Sequence, residues 1–458
     1  MRDRIKSAKK TAPRKIHFVS LGCAKNRVDT EVMAGIVAKA GIEITPEPES
    51  ADAIVVNTCG FILPAKEESI ETILEMAKFK KSQPRKKLVV AGCLPQRYKQ
   101  ELVDSLPEVD YFLGNANFIE ILKALNGAGG KKYAFPDPEE FAYDSNLPRV
   151  NSLTPFSAYL KISEGCSRKC SFCTIPAIRG RGRSRRVADI LREAENLARL
   201  GVMELNLIAQ DLTAYGRDLT PKLSLYDLLK ELDGVESIRW IRLLYTYPQY
   251  FERRLLNLIA ESEKILPYID IPIQHIDDDI LKMMKRGTSE AKIRKLIGDL
   301  RKTIPGVTLR TSLIVGFPGE TEEKFEKLLR FVEEMRFERL GVFKYSPEED
   351  TPAALMKNQI PDGIKTARYK KIMRAQKNVS REINRSLLET HIEVLAEAFS
   401  DDSGFVLEGR AKSQAPEVDG ICYIADGFSK PGKILKCKVV DFSDYDLIVK
   451  VDRDSSQP

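Results

Sequence analysis

The stretch SAYLKISEGCSRKCSFC, residues 157–173, joins an apolar run to a loop with three cysteines. The run SAYLKIS favours a β-strand, and Cys166, Cys170 and Cys173 follow it at a C-x3-C-x2-C spacing with no histidine among them. Structural zinc sites usually complete four ligands by pairing one such group with a second pair elsewhere. No such pair stands near this loop, so a zinc site or three incidental thiols is the weaker interpretation.

Three thiols in one short loop suit an iron–sulfur cluster with one iron left open. A 4Fe–4S cluster is usually held by four cysteines, one for each iron. Three cysteines leave the fourth iron without a protein ligand, which matters only where a substrate or a cofactor binds that iron. Sites in barrel-like β/α folds lie at the carboxyl ends of the strands, which is where this loop begins.

The chain around this loop is long enough for two to four domains. Its 458 residues, of which 43% are hydrophobic and 30% charged, describe a globular protein with an ample core. No run approaches the roughly 18 apolar residues of a membrane span. Residues 1–13 are basic without the apolar stretch of a secretory signal, so we expect a flexible tail rather than a transit peptide. We also expect a cytoplasmic protein, whose eight cysteines indicate metal or catalysis rather than disulfides.

Three regions follow one another along the chain. Residues 14–128 alternate apolar runs (IHFVSLGC, ADAIVVNTC, KLVVAGC) with amphipathic helical segments, which predicts a doubly wound parallel α/β sheet. Residues 129–151 have the composition of a linker. Residues 152–382 repeat the alternation in six longer units, which predict a partial, open relative of the (β/α)8 barrel. Residues 385–452 hold short apolar segments separated by turns, which predict a small antiparallel β-barrel.

Three further cysteines each close one apolar run of the first region: Cys23, Cys59 and Cys93. In an open parallel sheet the carboxyl ends of the strands share one edge, where ligands bind, so these thiols can converge. A lone cysteine at a strand end is usually a small buried residue, but three equivalent placements in succession favour a second cluster. Cys422 and Cys437 lie in the small barrel and are expected to be packing residues.

Four motifs place these cysteines in a known context: LGCAKNRVDTE, NTCGFILPAKEES, GCLPQRY and ISEGCSRKCSFCTIPAIRGRGRSR. Together they resemble the radical S-adenosylmethionine methylthiotransferases over residues 14–452. The resemblance implies an amino-terminal methylthiotransferase domain, a radical core and a TRAM barrel. It also implies two 4Fe–4S clusters, whose ligands would be Cys23, Cys59 and Cys93 for one, and Cys166, Cys170 and Cys173 for the other.

The chemistry that the resemblance implies replaces an unactivated C–H bond with C–S–CH3. One cluster splits S-adenosylmethionine into methionine and a 5′-deoxyadenosyl radical, which abstracts hydrogen from the substrate carbon. The other holds the sulfur to be transferred, methylated by a second S-adenosylmethionine. Since an unactivated C–H bond has no useful acidity, cofactors must carry this chemistry, and we expect no catalytic side chain beyond the clusters.

Strand ends in the barrel-like region supply the candidates for binding S-adenosylmethionine. The superfamily often has a Gly-Gly-Glu turn after the second strand, where this chain has Ala-Gln-Asp, so the amino-group contact departs from the pattern. Ordinary strand-end polarity is the equally open alternative for each position. The candidates are Gln210, Asp211, Gln274, His275 and Gly316.

Two branches of the family differ in substrate, and four motifs resemble one branch: LGCAKN, NTCGFI, PIQHIDDDIL and GRAKSQAPEVDG. That branch modifies the β-carbon of an aspartate in the twelfth small-subunit ribosomal protein, giving 3-methylthioaspartate. The other branch, the MiaB type, modifies a tRNA adenosine. A non-catalytic RNA-binding iron–sulfur protein is a third and weaker alternative, because structural clusters prefer four cysteines.

Charge favours the protein substrate. Residues 391–458 hold 8 Lys+Arg against 13 Asp+Glu in a chain whose net charge is +7, so the small barrel would repel a phosphate backbone and attract a basic protein. Phosphate contacts through the arginine tract RGRGRSRR (179–186) and a basic helix over 364–390 remain the alternative. The tract equally suits a solvated face or contact with cofactor or substrate. The expected partners are a basic small-subunit ribosomal protein, a low-potential electron donor and a sulfur source, without a membrane or direct tRNA binding.

Overall fold

A computed structural model describes residues 13–127, 132–141, 143–401, 404–426 and 429–452. The basic tail expected at residues 1–13 lies outside these ranges apart from its last residue. The chain divides into two compact units. The first unit contains the residues up to 152 together with 164–167 and 174–181, and the second contains 153–163, 168–173 and the residues from 182 onwards.

The first unit is a parallel sheet with helices. Its strands are β1 (Lys15–Ser20), β2 (Glu43–Ile44), β3 (Ala53–Thr58), β4 (Lys87–Gly92), β5 (Tyr111–Leu113) and β6 (Tyr133–Ala134). Its helices are α1 (Ala24–Lys39), α2 (Leu63–Ser82), α3 (Cys93–Ser105), α4 (Ile121–Asn126) and α5 (Ile175–Arg179). The strand order is β2-β1-β3-β4-β5-β6, and each described pair is parallel. β3 and β4 lie in the middle and are buried almost throughout, as their unbroken apolar runs predict.

The second unit is built on a larger parallel sheet. Its strands up to the small barrel are β7 (Ser157–Lys161), β8 (Ser163–Glu164, on the border with the first unit), β9 (Arg183–Ser184), β10 (Glu204–Ile208), β11 (Trp240–Leu243), β12 (Ile265–Asp270), β13 (Thr308–Val315) and β14 (Arg339–Lys344). Its helices are α6 (Val187–Arg199), α7 (Leu225–Asp233), α8 (Arg253–Glu261), α9 (Asp278–Met283), α10 (Glu290–Thr303), α11 (Glu322–Met335) and α12 (Asp362–Ser386).

The large sheet has the strand order β7-β10-β11-β12-β13-β14, and every described pair in it is parallel. Among the described residues β14 does not pair back to β7, so the sheet stays open. The helices cover its outer side and enclose one large apolar core. The predicted open relative of the (β/α)8 barrel is therefore confirmed, and α12 is the long basic helix.

The carboxyl-terminal region of the second unit is a closed five-stranded barrel. Its strands are β15 (His391–Phe399), β16 (Leu407–Ala411), β17 (Cys422–Ile424), β18 (Ile434–Phe442) and β19 (Leu447–Val451). The order is β15-β16-β17-β19-β18, with antiparallel pairs except for β17 and β19, which are parallel. Cys422 and Cys437 are fully buried in its core, as expected of packing residues, and burial raises the pKa of both thiols to about 12.

A buried ion network joins this barrel to the large sheet. Glu204, the first residue of β10, accepts hydrogen bonds from Arg242 Nε at 2.9 Å and from Arg410 Nη1 at 3.3 Å. All three side chains are almost completely buried. Burial raises the pKa of Glu204, but the charges of Arg410 and Arg242 outweigh it and lower that pKa to about 2. The carboxylate is therefore held ionised inside the second unit.

The segment GRAKSQAPEVDG (409–420) supplies several hydrogen bonds between the barrel and the sheet. Arg410 belongs to it, and Lys412 O accepts a hydrogen bond from Arg242 Nη1 at 2.6 Å. Tyr159 donates to Glu417 at 2.9 Å and Tyr268 donates to Asp419 at 2.6 Å. A motif that resembled one branch of a family is thus the docking segment of the barrel.

Candidate functional site

The three predicted amino-terminal ligands leave neighbouring strands at one edge of the first unit's sheet. Cys23 stands immediately before α1, Cys59 immediately after β3, and Cys93 begins α3 directly after β4. Because β1, β3 and β4 are adjacent and parallel, the three residues emerge at the same edge. Gly22 has a φ of +88°, and a Cβ there would lie 2.9 Å from Cys59 Cβ and 3.2 Å from Cys59 Sγ. Only glycine allows this close approach of two cysteine-bearing turns.

The thiols at this edge lie within electrostatic reach of one another. Burial raises the pKa of Cys59 to about 12, and the charges of Cys93 and Cys23 act in the same direction. Burial also raises the pKa of Cys93, against the effect of Arg179. Burial acts to raise the pKa of Cys23 as well, but Lys25 and Arg179 outweigh it, so this pKa is lowered. Sequence reasoning predicted the convergence of the three thiols but not the cations beside them.

The donor set at this edge consists of sulfur alone. Three cysteines emerge there with no histidine among them, and cysteine thiolates are the usual ligands of iron–sulfur clusters. Three such ligands would leave one iron of a 4Fe–4S cluster open.

A polar network backs the thiols within the first unit. Arg179 donates from Nη1 to Glu164 Oε1 at 2.8 Å and from Nη2 to Asp29 Oδ2 at 2.9 Å and Asn26 Oδ1 at 3.2 Å. Cys93 Sγ lies 3.9 Å from the same amide oxygen of Asn26. The sequence did not predict this network, although Asn26 is the last residue of the motif LGCAKN.

The cysteine loop of the radical core is anchored at several points. Cys166, in the part of the loop that belongs to the first unit, donates its N–H to Gly180 O at 3.0 Å. In the part that belongs to the second unit, the Cys173 N–H donates to Cys170 O at 3.2 Å. Between these two, Ser171 donates from Oγ to Met283 O at 2.7 Å. The three cysteines are half-buried, so the loop is held in place while its thiols stay reachable.

One arginine of the second unit contacts Cys170, and a second arginine lies against the same tyrosine ring as the first. Arg286, 5% exposed, donates from Nη1 to Cys170 Sγ at 3.5 Å, and its guanidinium lies 4.1 Å from the ring centre of Tyr247. Arg168 lies 3.8 Å from the same ring centre and donates to Asp211 Oδ2 at 2.6 Å. The Cys170 thiol therefore has a guanidinium as a direct neighbour, which suits a thiolate ligand.

The candidates for S-adenosylmethionine binding fall into two groups. Asp211, besides its bond to Arg168, accepts hydrogen bonds from Thr213 Oγ1 at 2.7 Å and from the Ala214 N–H at 3.2 Å. Its carboxylate is thus already engaged by protein. Gln210 and Gln274 are half-buried, and Gln274 has a φ of +74° where its backbone pairs with β13.

His275 and Gly316 are linked through Glu320. The Nδ1 atom of the fully buried His275 accepts the Asp277 N–H at 3.0 Å, which leaves Nε2 to donate to Glu320 Oε1 at 3.2 Å. The Gly316 N–H also donates to the Glu320 carboxylate, and Arg368 Nη1 donates to Glu320 Oε2 at 2.9 Å. Sequence reasoning missed Glu320, which lies in the same LIVGFPGE stretch as Gly316. His275 and Gly316 thus support the shape of this strand end.

The arginine tract 179–186 does not form a single solvated face. Arg179 is buried against the thiol edge, and Arg185 is buried with ion pairs to Asp189 at 2.7 Å and Glu193 at 2.6 Å. Arg181 and Arg186 are exposed. The tract therefore mixes buried ion-pairing positions with surface positions, an arrangement that none of the three sequence interpretations contained.

None of the helices in the described part of the chain combines the length and the apolar character needed to cross a membrane. Family models match three stretches: the uncharacterized protein family UPF0004 over residues 15–114, the radical SAM superfamily over 160–332 and the TRAM domain over 390–451. These stretches correspond to the parallel sheet of the first unit, the open sheet of the second and the small barrel.

Curated relatives match almost the whole chain. A protein from Anaeromyxobacter sp. (strain Fw109-5) is 51% identical over 437 residues, which cover 95% of this chain and 93% of that protein. One from Geotalea uraniireducens (strain Rf4) is 51% identical over 440 residues, which cover 95% and 98%. Both carry the name ribosomal protein uS12 methylthiotransferase RimO. The chain belongs to the RimO family.

Membership of the RimO family makes the protein a radical SAM enzyme of the methylthiotransferase class, and supports an iron–sulfur cluster and S-adenosylmethionine as cofactors. Solved structures agree on the fold. The radical S-adenosylmethionine methyltransferase TsrM from Kitasatospora setae matches with a TM-score of 0.56 at 15% identity, covering 75% of each chain. The cobalamin-dependent radical enzyme OxsB matches with a TM-score of 0.51 at 13% identity, covering 81% of this chain and 56% of that one. At these identities the likeness concerns the fold alone.

Proposed function

We propose that this enzyme inserts sulfur and a methyl group at the β-carbon of an aspartate in the twelfth small-subunit ribosomal protein, giving 3-methylthioaspartate. The observation that carries the proposal is the similarity over 95% of the chain to proteins named ribosomal protein uS12 methylthiotransferase. The convergence of Cys23, Cys59 and Cys93 supports it, because transfer of a methylthio group needs a place to hold sulfur.

We propose two 4Fe–4S clusters, one held by Cys23, Cys59 and Cys93 and the other by Cys166, Cys170 and Cys173. Bound clusters and S-adenosylmethionine supply the radical and the sulfur-transfer chemistry that no acid–base side chain provides. The chain's own residues hold and shield these groups. In the first unit Arg179 and Asn26 lie against Cys93, and in the second unit Arg286 donates to Cys170.

The candidates for binding S-adenosylmethionine take different roles in this proposal. Gln210 and Gln274 are half-buried strand-end residues and are proposed as direct contacts. Asp211 is proposed to act through Arg168, which it holds beside Tyr247. His275 and Gly316 are proposed to act by keeping the turn around Glu320 in place.

The proposed substrate is basic, and the surface charge of the small barrel suits it. With 13 acidic against 8 basic residues, the segment 391–458 attracts a basic ribosomal protein and repels nucleic acid. Because the proposed substrate is a ribosomal protein, we propose a cytoplasmic location for the enzyme. A low-potential electron donor and a sulfur source are further partners that the reaction requires, and direct tRNA binding is not part of the proposal.

The test is to incubate the reconstituted, reduced enzyme with sulfide and S-adenosylmethionine, once with the ribosomal protein and once with tRNA. Mass spectrometry of peptides and nucleosides should find a methylthio group on the β-carbon of one aspartate and none on adenosine. A substrate variant with that aspartate replaced by alanine is the control. A methylthio group on tRNA adenosine with none on the protein would refute the proposal in favour of the MiaB type.

A further inference from the structure

Arg179 is the last residue of α5 and lies six residues after the final cysteine of the radical loop, yet its side chain belongs to the amino-terminal thiol edge. It is 2% exposed. Ion pairs with Asp29 and Glu164, at 2.9 Å and 2.8 Å, hold the guanidinium from two sides. A buried charge of this kind is costly unless its surroundings compensate it.

The guanidinium lies on the Cys93 side of this edge. It shares the side-chain oxygen of Asn26 with Cys93, at 3.2 Å from Nη2 and 3.9 Å from Sγ. Asn26 in turn is fixed by Nδ2 donating to Leu21 O at 2.7 Å and Thr58 O at 3.1 Å, so the arrangement is rigid.

We propose that Arg179 is a positioning residue for the iron–sulfur cluster of Cys23, Cys59 and Cys93, which fixes the Cys93 side of the site and stabilises the cluster's reduced form. This inference rests on the proposed function, because it requires that cluster. Reduction would add one electron and therefore one negative charge to the cluster. The guanidinium of Arg179, which shares the Asn26 oxygen with Cys93, would offset this charge, and its loss would remove the cation that pairs with Asp29 and Glu164. Charge near a cluster is one of the factors that set its reduction potential.

The test uses the full chain with Cys166, Cys170 and Cys173 replaced by alanine, so that only the amino-terminal cluster is measured. After anaerobic reconstitution, a dithionite titration followed by electron paramagnetic resonance gives the midpoint potential. R179Q should shift that potential to a more negative value, whereas R179K should stay close to the parent. R149Q is the matched control, because it removes a buried arginine of the same unit whose ion pair is with Glu31; it should not shift the potential.

Each result either supports or overturns the proposed role of Arg179. An unchanged potential in R179Q overturns the inference, and so does an equal shift in R149Q or R179K. If R179Q binds no iron while its circular-dichroism melt matches that of R149Q, the positioning role is supported; if its melt collapses instead, the R179K potential decides. A parent chain that binds no cluster overturns the proposed ligand set itself, whereas a parent with a cluster and an unresponsive R179Q overturns only the role of Arg179.

Discussion

The two cysteine sites are assembled in different ways. In the first unit three thiols arrive from the ends of β1, β3 and β4, so their proximity depends on the register of a parallel sheet. In the radical loop three thiols lie within eight consecutive residues and depend on anchors such as Ser171. A site built by a sheet tolerates little change in the fold around it, whereas a site built by a loop needs only that its loop be held.

The arginines beside the two sites also differ, in the groups that each of them contacts. Arg179 has carboxylate partners on two sides, while Arg286 rests on the Tyr247 ring and donates to the carbonyl of Pro272. Within the described residues no carboxylate lies at ion-pair distance from Arg286. Loss of Arg179 would therefore remove the cation that pairs with two carboxylates, whereas loss of Arg286 would remove a cation that pairs with none. Four predictions, from the largest expected effect to the smallest, concern the two cysteine sites and the buried carboxylate of the second unit.

The largest effect is expected from removing each cysteine set. C166A/C170A/C173A should lose about half of the bound iron and all cleavage of S-adenosylmethionine to 5′-deoxyadenosine, because one cluster per site carries its own chemistry. C23A/C59A/C93A should lose the other half, keep that cleavage and form no methylthio product. Iron assay and chromatography of the products measure both. C437A, which removes a packing cysteine, is the control and should keep full iron. A complete iron content in the second triple variant would contradict the strand-edge site.

Glu204→Gln should destabilise the second unit and leave the first unit unchanged. The substitution leaves Arg242 buried without its carboxylate and leaves Arg410 with Glu397 as its carboxylate partner, and breaking a buried ion pair in this way costs about 3–5 kcal/mol. Amide hydrogen exchange, measured at rising temperature, reports the stability of each of the two units separately. E333Q, at an exposed glutamate of α11, is the matched control. Equal loss of protection in both units would show that the network does not act locally.

The same carboxylate predicts an acid dependence. Its pKa is about 2 in the folded chain against an ordinary 4.5, so the stabilisation is complete above the ordinary value and is lost as the pH falls through about 2. A shift of this size corresponds to about 3 kcal/mol. Denaturant unfolding of the parent chain should show a free energy of unfolding that declines between neutral pH and pH 3. The free energy of unfolding of E204Q should decline less over the same range. If the unfolding free energy of the parent and that of E204Q fall in parallel with pH, groups other than Glu204 dominate the acid dependence.

The smallest effect is expected from Arg286→Gln. In the C23A/C59A/C93A background, this change should lower the midpoint potential of the loop cluster by less than R179Q lowers that of the other, because Arg179 pairs with two carboxylates and Arg286 with none. R286K, which keeps the charge, is the control. The same resonance titration measures both shifts. A larger shift for R286Q than for R179Q would reverse the contrast between the sites.

The strands of both sheets and the convergence of the first three cysteines could be predicted because an unbroken apolar run and the shared edge of a parallel sheet are local or topological signals. The ion networks could not. Arg179 meets Asn26 across 153 residues, and Glu204 meets Arg410 across 206. A charged residue in a sequence looks the same whether it faces water or a buried partner. Hence the tract 179–186 allowed three interpretations, none of which combined buried ion-pairing positions with surface positions.

The bond between Glu204 and Arg410 also has a consequence for how the protein is made. At a synthesis rate of about 5–20 residues per second, the 206 residues between them take roughly 10 to 40 seconds to emerge. For that interval the carboxylate has only one of its two arginines, Arg242, and the open sheet lacks the barrel that docks on it. A segment that leaves the ribosome later thus completes the interior of one made earlier, and a nascent chain cut short before residue 410 carries an unfinished core.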